Sequence, residues 1–319
     1  MGISSFKTGL MKRSFLAGNA YYALIGTRGL MALGYTNTYV NTIEYVDISS
    51  TGNTTDFGDL TVARASFAIG SVASKVRGLF LGGETGAASN IIDYVNILTT
   101  GNAIDFGDLT GAIAYAGAAS NETRGLRMGG SAITNTIDYV TIATTGNATD
   151  FGDLTLARAT GAGVASTTRA IAMQGSDNVG NPLNTIDYVT IATTGNATDF
   201  GDVLRFAGNS ATASSNTRGI CAGGYANATN AVATIMDYIT IATTGNSTTF
   251  GELTQTRQNL GGTGTHSRAI FFGGRRPEHV NTIDYVTIAT TGNATDFGDL
   301  SAGVVAPGGT SNGHGGLAA

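Results

Sequence analysis

Apolar and polar positions along this chain alternate with a period of two, the repeat of a β-strand. In IDYVTIA, Ile137, Tyr139 and Thr141 fall on one face, and Asp138, Val140 and Ile142 on the other. Both faces are largely apolar, as in a sheet packed on both sides. The stretch recurs along the chain. Asn135–Leu154 and Asn281–Leu300 are identical over twenty positions, and variants begin near Asn41, Asn90, Asn184 and Thr234. Tyrosines fall at Tyr45, Tyr94, Tyr139, Tyr188, Tyr238 and Tyr285. Each is followed twelve residues later by Phe57, Phe106, Phe151, Phe200, Phe250 or Phe297. The spacing inside a copy is constant, while the interval between copies varies from 45 to 50. Rigid units joined by variable loops give that signature.

Each unit reads as four strands. The first is small and glycine-rich: SFLAGNA at 14–20, SFAIGSVA at 66–73, TGAGVA at 160–165, NLGGTG at 259–264. Such residues suit a crowded position near an axis. The second strand follows an arginine (Arg28, Arg77, Arg124, Arg169, Arg218, Arg268), the third is the IDYVTIA segment, and the fourth is FGDL with its neighbours. TTGNAT between strands three and four supplies the Gly and Asn that accept positive φ in a turn. A four-stranded unit of this length, repeated radially, predicts an all-β, six-bladed β-propeller with four antiparallel strands per blade.

The order "apolar strand–Gly-Gly, variable loop, acid–Tyr–Val, aromatic, Thr-x-x-Arg" resembles the kelch repeat. Gly82-Gly83, Gly129-Gly130, Gly223-Gly224 and Gly273-Gly274 match its double glycine, whereas Gln174-Gly175 and Leu33-Gly34 depart from it. The family's Trp is Phe in every copy. The resemblance implies that Tyr and Phe pack between blades. It is specific for fold and poor for function, because one propeller scaffold serves enzymes, scaffolds and adhesins.

Strand one is present once too often, at Ser14–Ala20 and again within SAGVVAPGGTS at 301–311. Either copy could complete the ring. Closure by the second is favoured, because strands from both ends of the chain then lock one blade, leaving the first 20 residues free to dock elsewhere. The expected organisation is a lead-in over 1–10, the propeller over 11–311 and a tail over 312–319.

Composition narrows the function classes. Of 319 residues only 12% are charged, the net charge is −5, and Lys7, Lys12 and Lys75 are the only lysines. No basic stripe points to nucleic acid, and no apolar run reaches the ~18 residues of a membrane span. The single cysteine, Cys221, excludes an intrachain disulfide and falls in an apolar strand, where a buried structural thiol is expected. MGISSFKTGLMKRSFLAG has the charge order of a signal peptide but is too polar. Its Phe6-to-Arg13 spacing matches Phe57 to Arg64, so it reads as a degenerate piece of the repeat.

Candidate chemistry is sparse. Asp56 and Asp59, with their equivalents, offer hard oxygens to calcium, but Thr249 and Glu252 replace both acids in one copy, and Asp and Asn capping their own turn is the simpler expectation. The acids before each tyrosine (Glu44, Asp93, Asp138, Asp187, Asp237, Asp284) and the arginines before strand two are also repeated. A catalytic group is normally unique, so these arginines are expected to pair with carboxylates within or between blades. His266, His279 and His314 are isolated in the sequence. No catalytic residue, cofactor or metal site is predicted.

What does not repeat is the loop between strands two and three. Variable loops on a rigid scaffold are where recognition is usually found. RRPEHV is the most distinctive, and Arg275, Arg276, Glu278 and His279 form the candidate binding loop. The two chain ends are the other expected contact sites.

The near-identical copies, the Thr/Ala/Gly/Asn-rich, Lys-poor composition and the tail SNGHGGLAA resemble repeat proteins of marine bacteriophages, especially those infecting cyanobacteria. That resemblance implies a non-enzymatic virion component of a tail, fibre or capsid. Its partners would be other virion proteins or a host-surface receptor or glycan, within a larger assembly. The alternatives are an oxidase or carbohydrate-active enzyme on a kelch scaffold, and an intracellular interaction scaffold.

Overall fold

The computed structural model describes residues 26–65, 71–159, 161–205, 208–226 and 231–318. Six four-stranded antiparallel sheets are arranged as a β-propeller, and the described residues contain no helix. From the axis outward, blade 1 is Gly308–Ser311, Arg28–Ala32, Thr42–Asp47 and Thr55–Asp59. Blade 2 is Ser71–Ala73, Arg77–Glu84, Ala88–Asn96 and Ile104–Ile113; blade 3 is Gly117–Ser120, Arg124–Met128, Thr136–Thr141 and Thr149–Asp153. Blades 4 and 5 are Ala162–Ala165, Arg169–Met173, Thr185–Thr190, Thr198–Asp202, and Ala211–Ser214, Arg218–Ala222, Ile235–Thr240, Thr248–Glu252. Blade 6 is Gly261–Gly264, Arg268–Phe272, Glu278–Thr287 and Thr295–Val304. Gly308–Ser311 pairs with Arg28–Ala32, so the second copy of strand one closes the ring, as favoured from the sequence. The copy at 14–20 and the lead-in lie outside the described residues.

The apolar core lies between blades. Val72, Leu79, Ile92 and Phe106 of blade 2 pack against Ala118, Val140 and Ile142 of blade 3, and equivalent clusters follow round the ring. The repeated phenylalanines are 2–3% exposed. Each meets the tyrosine of its own blade edge-to-face, with ring centroids 5.8–6.0 Å apart. Burying each aromatic ring contributes on the order of 2–3 kcal/mol before entropy is counted.

The arginine before strand two holds consecutive blades together, though not through a carboxylate as expected. Its guanidinium lies 4.5–4.7 Å from the centroid of the tyrosine in its own blade. Its Nη1 donates to a carbonyl of the next blade: Arg28 to Ile97 at 2.8 Å, Arg77 to Ile142 at 3.1 Å, Arg124 to Ile191 at 2.9 Å. Arg169, Arg218 and Arg268 continue to Ile241, Ile288 and Ile48, the last closing the circle at 2.9 Å. The third-to-fourth turn presents carbonyls that lack a strand partner, and the planar fork of arginine satisfies them while its face rests on the tyrosine ring.

The TTGN turn is likewise a joint between blades. The expectation that its Asn caps its own turn is corrected by the geometry. Asn102 Oδ1 accepts the Asp59 amide of the preceding blade at 3.1 Å, and Asn147, Asn196, Asn246, Asn293 and Asn53 do the same for Asp108, Asp153, Asp202, Glu252 and Asp299. Gly101 N donates to Phe57 O at 2.8 Å and Ala103 N to Asp59 O at 2.7 Å. Each turn thus acts as a short extra strand on the outer edge of the blade before it. Close approach is required. Gly152 has φ +143°, and a Cβ there would lie 2.5 Å from the Gly195 carbonyl oxygen. This explains the invariant Gly of Phe-Gly-Asp or Phe-Gly-Glu.

Candidate binding faces and the axial channel

Two sets of connections give the propeller two faces. One carries the turns between strands one and two and between strands three and four. The other carries the two–three loops and the links between blades.

The repeated acid before each tyrosine is buried, at 0–4% exposed in all six blades. Its partners come from the link that follows the outer strand of the preceding blade. Arg64 reaches Asp93 at 2.8 Å, Arg158 reaches Asp187, and Arg257 reaches Asp284 at 2.8 Å. Thr61, Thr155 and Thr254 in the same links donate their hydroxyls to these carboxylates at 2.6 Å. The Thr-x-x-Arg pattern is therefore a clamp on the next blade's acid. In the link before blade 3, Ile113 stands where the arginine would be, and Asp138 pairs instead with Arg127 from its own second strand. The link before blade 1 has no arginine either, and Glu44 accepts hydrogen bonds from Ser301 and Thr54.

Blade 5 breaks the pattern furthest. Its link reads VLR at 203–205, with the arginine two positions early and Leu204 in place of the threonine. Among the described residues, Asp237 Oδ1 and Arg205 Nη1 are both buried without a hydrogen-bond partner. Burial raises the Asp237 carboxyl above its ordinary range, and Arg205 opposes that shift from a distance. Cys221 lies opposite Asp237, at the place Arg127 occupies in blade 3. Its thiol is buried, hydrogen-bonded to Gln174 at 3.0 Å and to Ser210 at 3.2 Å, and pushed up to about 12 by burial. At neutral pH it is an unreactive structural thiol, as its sequence setting suggested. These groups belong to the scaffold.

The loop face holds a constellation that the sequence analysis missed. Glu84, the last residue of strand two of blade 2, accepts hydrogen bonds from Tyr39 Oη to one carboxylate oxygen and from Tyr115 Oη to the other, both at 2.9 Å. Tyr39 belongs to the two–three loop of blade 1 and Tyr115 to the link before blade 3. Tyr35 stacks edge-to-face on Tyr39 at 5.3 Å and on His279 of blade 6 at 5.9 Å. Burial, followed by the bond to Glu84, pushes the Tyr115 phenol up to about 12, and burial raises Tyr39 as well. Both therefore stay protonated donors, holding the carboxylate in place across blades 6, 1 and 2. Sequence did carry a signal for this group: Tyr35, Tyr39 and Tyr115 are tyrosines that fall outside the repeat.

The candidate loop RRPEHV forms a two-residue ribbon. Arg275 pairs with His279 and Arg276 with Glu278, with Pro277 at the tip. Arg275, Arg276 and Glu278 are exposed, while His279 turns inward onto Tyr35. The structure thus separates three solvent-facing charges from a half-buried imidazole that braces the neighbouring loop.

The axial channel is lined by the small inner strands and offers about 90 Å³ of space, room for several water molecules. Segment 312–318, expected as a tail available for recognition, instead closes its turn-face end. Asn312 Oδ1 accepts the Arg28 amide at 3.0 Å, and Leu317 is fully buried. His314 Nε2 lies 2.9 Å from Ala73 O, and its Nδ1 accepts the Gly316 amide at 3.1 Å. Those contacts assign the Nε2–H tautomer. Burial brings the imidazole down to about 4, so it is neutral above that pH. Cβ atoms at Gly313, Gly315 and Gly316 would overlap the carbonyl oxygens of Gly26, Ser215 and Ser120. Three glycines are therefore dictated by contacts with three different blades. Among the described residues, no group of three or more His, Cys, Asp or Glu is placed to hold a metal ion. The chain matches no protein-family model and no curated protein.

Proposed function

We propose that this protein is a non-catalytic binding propeller of a phage particle, of kelch-like descent, that meets its partner through the two–three loop face. The observation that carries the reading is the asymmetry of the two faces. Nearly uniform turns and a seated glycine-rich segment occupy one face. On the other, Glu84 is held by two tyrosine hydroxyls, Tyr35 is wedged against Tyr39 and His279, and the charges of Arg275, Arg276 and Glu278 project into solvent. A rigid base under variable side chains keeps the entropy cost of binding low. The partner class is another virion protein or a host-surface receptor or glycan. The virion assignment rests on the sequence resemblance, and the low-charge surface agrees with packing in a larger assembly. Mass spectrometry of purified phage particles tests it: the protein is expected among the structural components, and its detection only in uninfected host cytosol overturns the assignment. For the face, Arg275→Ala/Arg276→Ala/Glu278→Ala is expected to abolish adsorption of particles to host cells with the fold intact by circular dichroism. Unchanged adsorption removes this loop from the binding surface.

A further inference from the structure

The geometry points to the turn-face end of the channel as a peptide-binding site for a glycine-rich segment, filled here by residues 308–318 and open to the same segment from a second copy of the chain. The site is built from several blades. Arg28 and Gly26 in blade 1, Ala73 in blade 2, Ser120 in blade 3, Ser215 in blade 5 and Gly264 in blade 6 all contact the segment. Its selectivity is steric and polar. Gly313, Gly315 and Gly316 have no room for a Cβ, Ser311 Oγ donates to Gly264 O, and Asn312 and His314 use their side chains on backbone groups of the ring.

The connection to the rest of the chain is what makes exchange possible. Residues 305–307 alone separate the outer strand of blade 6 from Gly308–Ser311. Within them Ala306 has φ +57°, a left-handed conformation that costs a non-glycine residue roughly 1–2 kcal/mol. Tyr115, Asn209 and Asn259 hold the corresponding link position before blades 3, 5 and 6 with φ +57°, +59° and +54°, and the two asparagines tolerate that conformation better than Ala. A short, strained hinge before an element that docks into a preformed site is the arrangement from which two copies exchange that element, because opening the hinge relieves strain and every docking contact is recovered in the partner. The occupant in exchange is residues 308–318 of another copy. The inference stands independently of the virion reading.

The test uses the full chain and a fluorescein-labelled peptide, Gly308–Ala318. Protein and peptide are incubated in guanidinium just below the unfolding midpoint, returned to buffer, and followed by fluorescence anisotropy. The wild-type peptide is expected to be taken up saturably. A peptide carrying Gly313→Ala, Gly315→Ala and Gly316→Ala is expected to be taken up at least tenfold less. The same treatment without peptide is expected to give a discrete dimer in light scattering, at a lower fraction in Ala306→Gly. Equal uptake of the two peptides, no uptake of either, or a monomer throughout overturns the proposal. Placing the three alanines in the peptide leaves the folding of the protein untouched.

Discussion

Blades 4 and 5 carry the same buried aspartate in two environments, so one substitution applied to both is a controlled experiment. Asp187 is fully buried and paired with Arg158, and it accepts the amide and hydroxyl of Thr155 at 3.2 and 2.6 Å. Asp187→Asn keeps the shape and one oxygen acceptor but leaves the Arg158 charge, only 1% exposed, without its counter-ion. Breaking one side of a buried pair costs about 3–5 kcal/mol. Asp237 is 4% exposed, has one oxygen without a partner, and no arginine within salt-bridge distance among the described residues. Asp237→Asn removes a buried charge that only Arg205, beyond salt-bridge distance, offsets. New amide hydrogens offset part of that gain, so the net effect is expected within about 1 kcal/mol of zero or stabilising. At roughly 2 °C per kcal/mol for a chain of this size, Asp187→Asn should lower Tm by about 6–10 °C and Asp237→Asn by less than about 2 °C. Scanning calorimetry and urea unfolding at pH 7 read both. The pH dependence has a defined sign. The folded carboxyl of Asp237 is raised, so its penalty is present at neutral pH and lifted as pH falls through its folded pKa. Any advantage of Asp237→Asn therefore shrinks in acid. Equal losses in the two blades, or a larger loss at Asp237, would refute the reasoning that the blade 5 acid lacks a close counter-ion.

Other consequences follow from the same geometry. Lowering the pH from 6.5 toward 4 should destabilise the protein through His314, whose folded pKa lies below its unfolded value, by at most about 3 kcal/mol because the ring keeps some surface toward the channel; urea midpoints across that window should fall less in His314→Gln. Arg169→Met removes two bonds to the Ile241 and Ala242 carbonyls and the contact with Tyr188, costing about 2–3 kcal/mol by chemical denaturation, and Arg169→Lys should recover only part of it. Gly152→Ala should cost on the order of 2 kcal/mol or more, since φ is +143° and the Gly195 carbonyl blocks the new methyl; a thermal shift below 1 °C would contradict the blade contact described. Ala306→Gly should raise stability by up to about 1 kcal/mol by relieving its left-handed backbone.

Most of the architecture was legible because it rests on periodicity. The two-residue alternation around Tyr139 and the constant Tyr-to-Phe spacing led to strands, blades and their number, and the Gly/Ala/Ser content of strand one led to its place at the axis. The arginines before strand two were located correctly but given the wrong partner, because a linear repeat shows which charges recur and not which carbonyls the next blade turns toward them. Arg127 was invisible as a substitute for the missing link arginine until Asp138 was seen beside it. The Glu84 cluster joins residues 39, 84 and 115 of consecutive blades, and only ring closure adds His279 through Tyr35. Segment 312–318 looks like a free tail in the sequence because glycine is read by default as freedom; here three glycines mark absence of space.

The turns that lie along each outer strand also bear on how the molecule tolerates crowding. A propeller displays six sheet edges at its rim, each a template for pairing with a foreign strand. In this chain the Phe and Asp/Glu carbonyls of those edges are already engaged by the following blade, and ten aspartates flank them, with Thr249 and Glu252 in the remaining copy. Copies meeting rim to rim therefore find these edge carbonyls already paired and offer each other less of a template for strand addition.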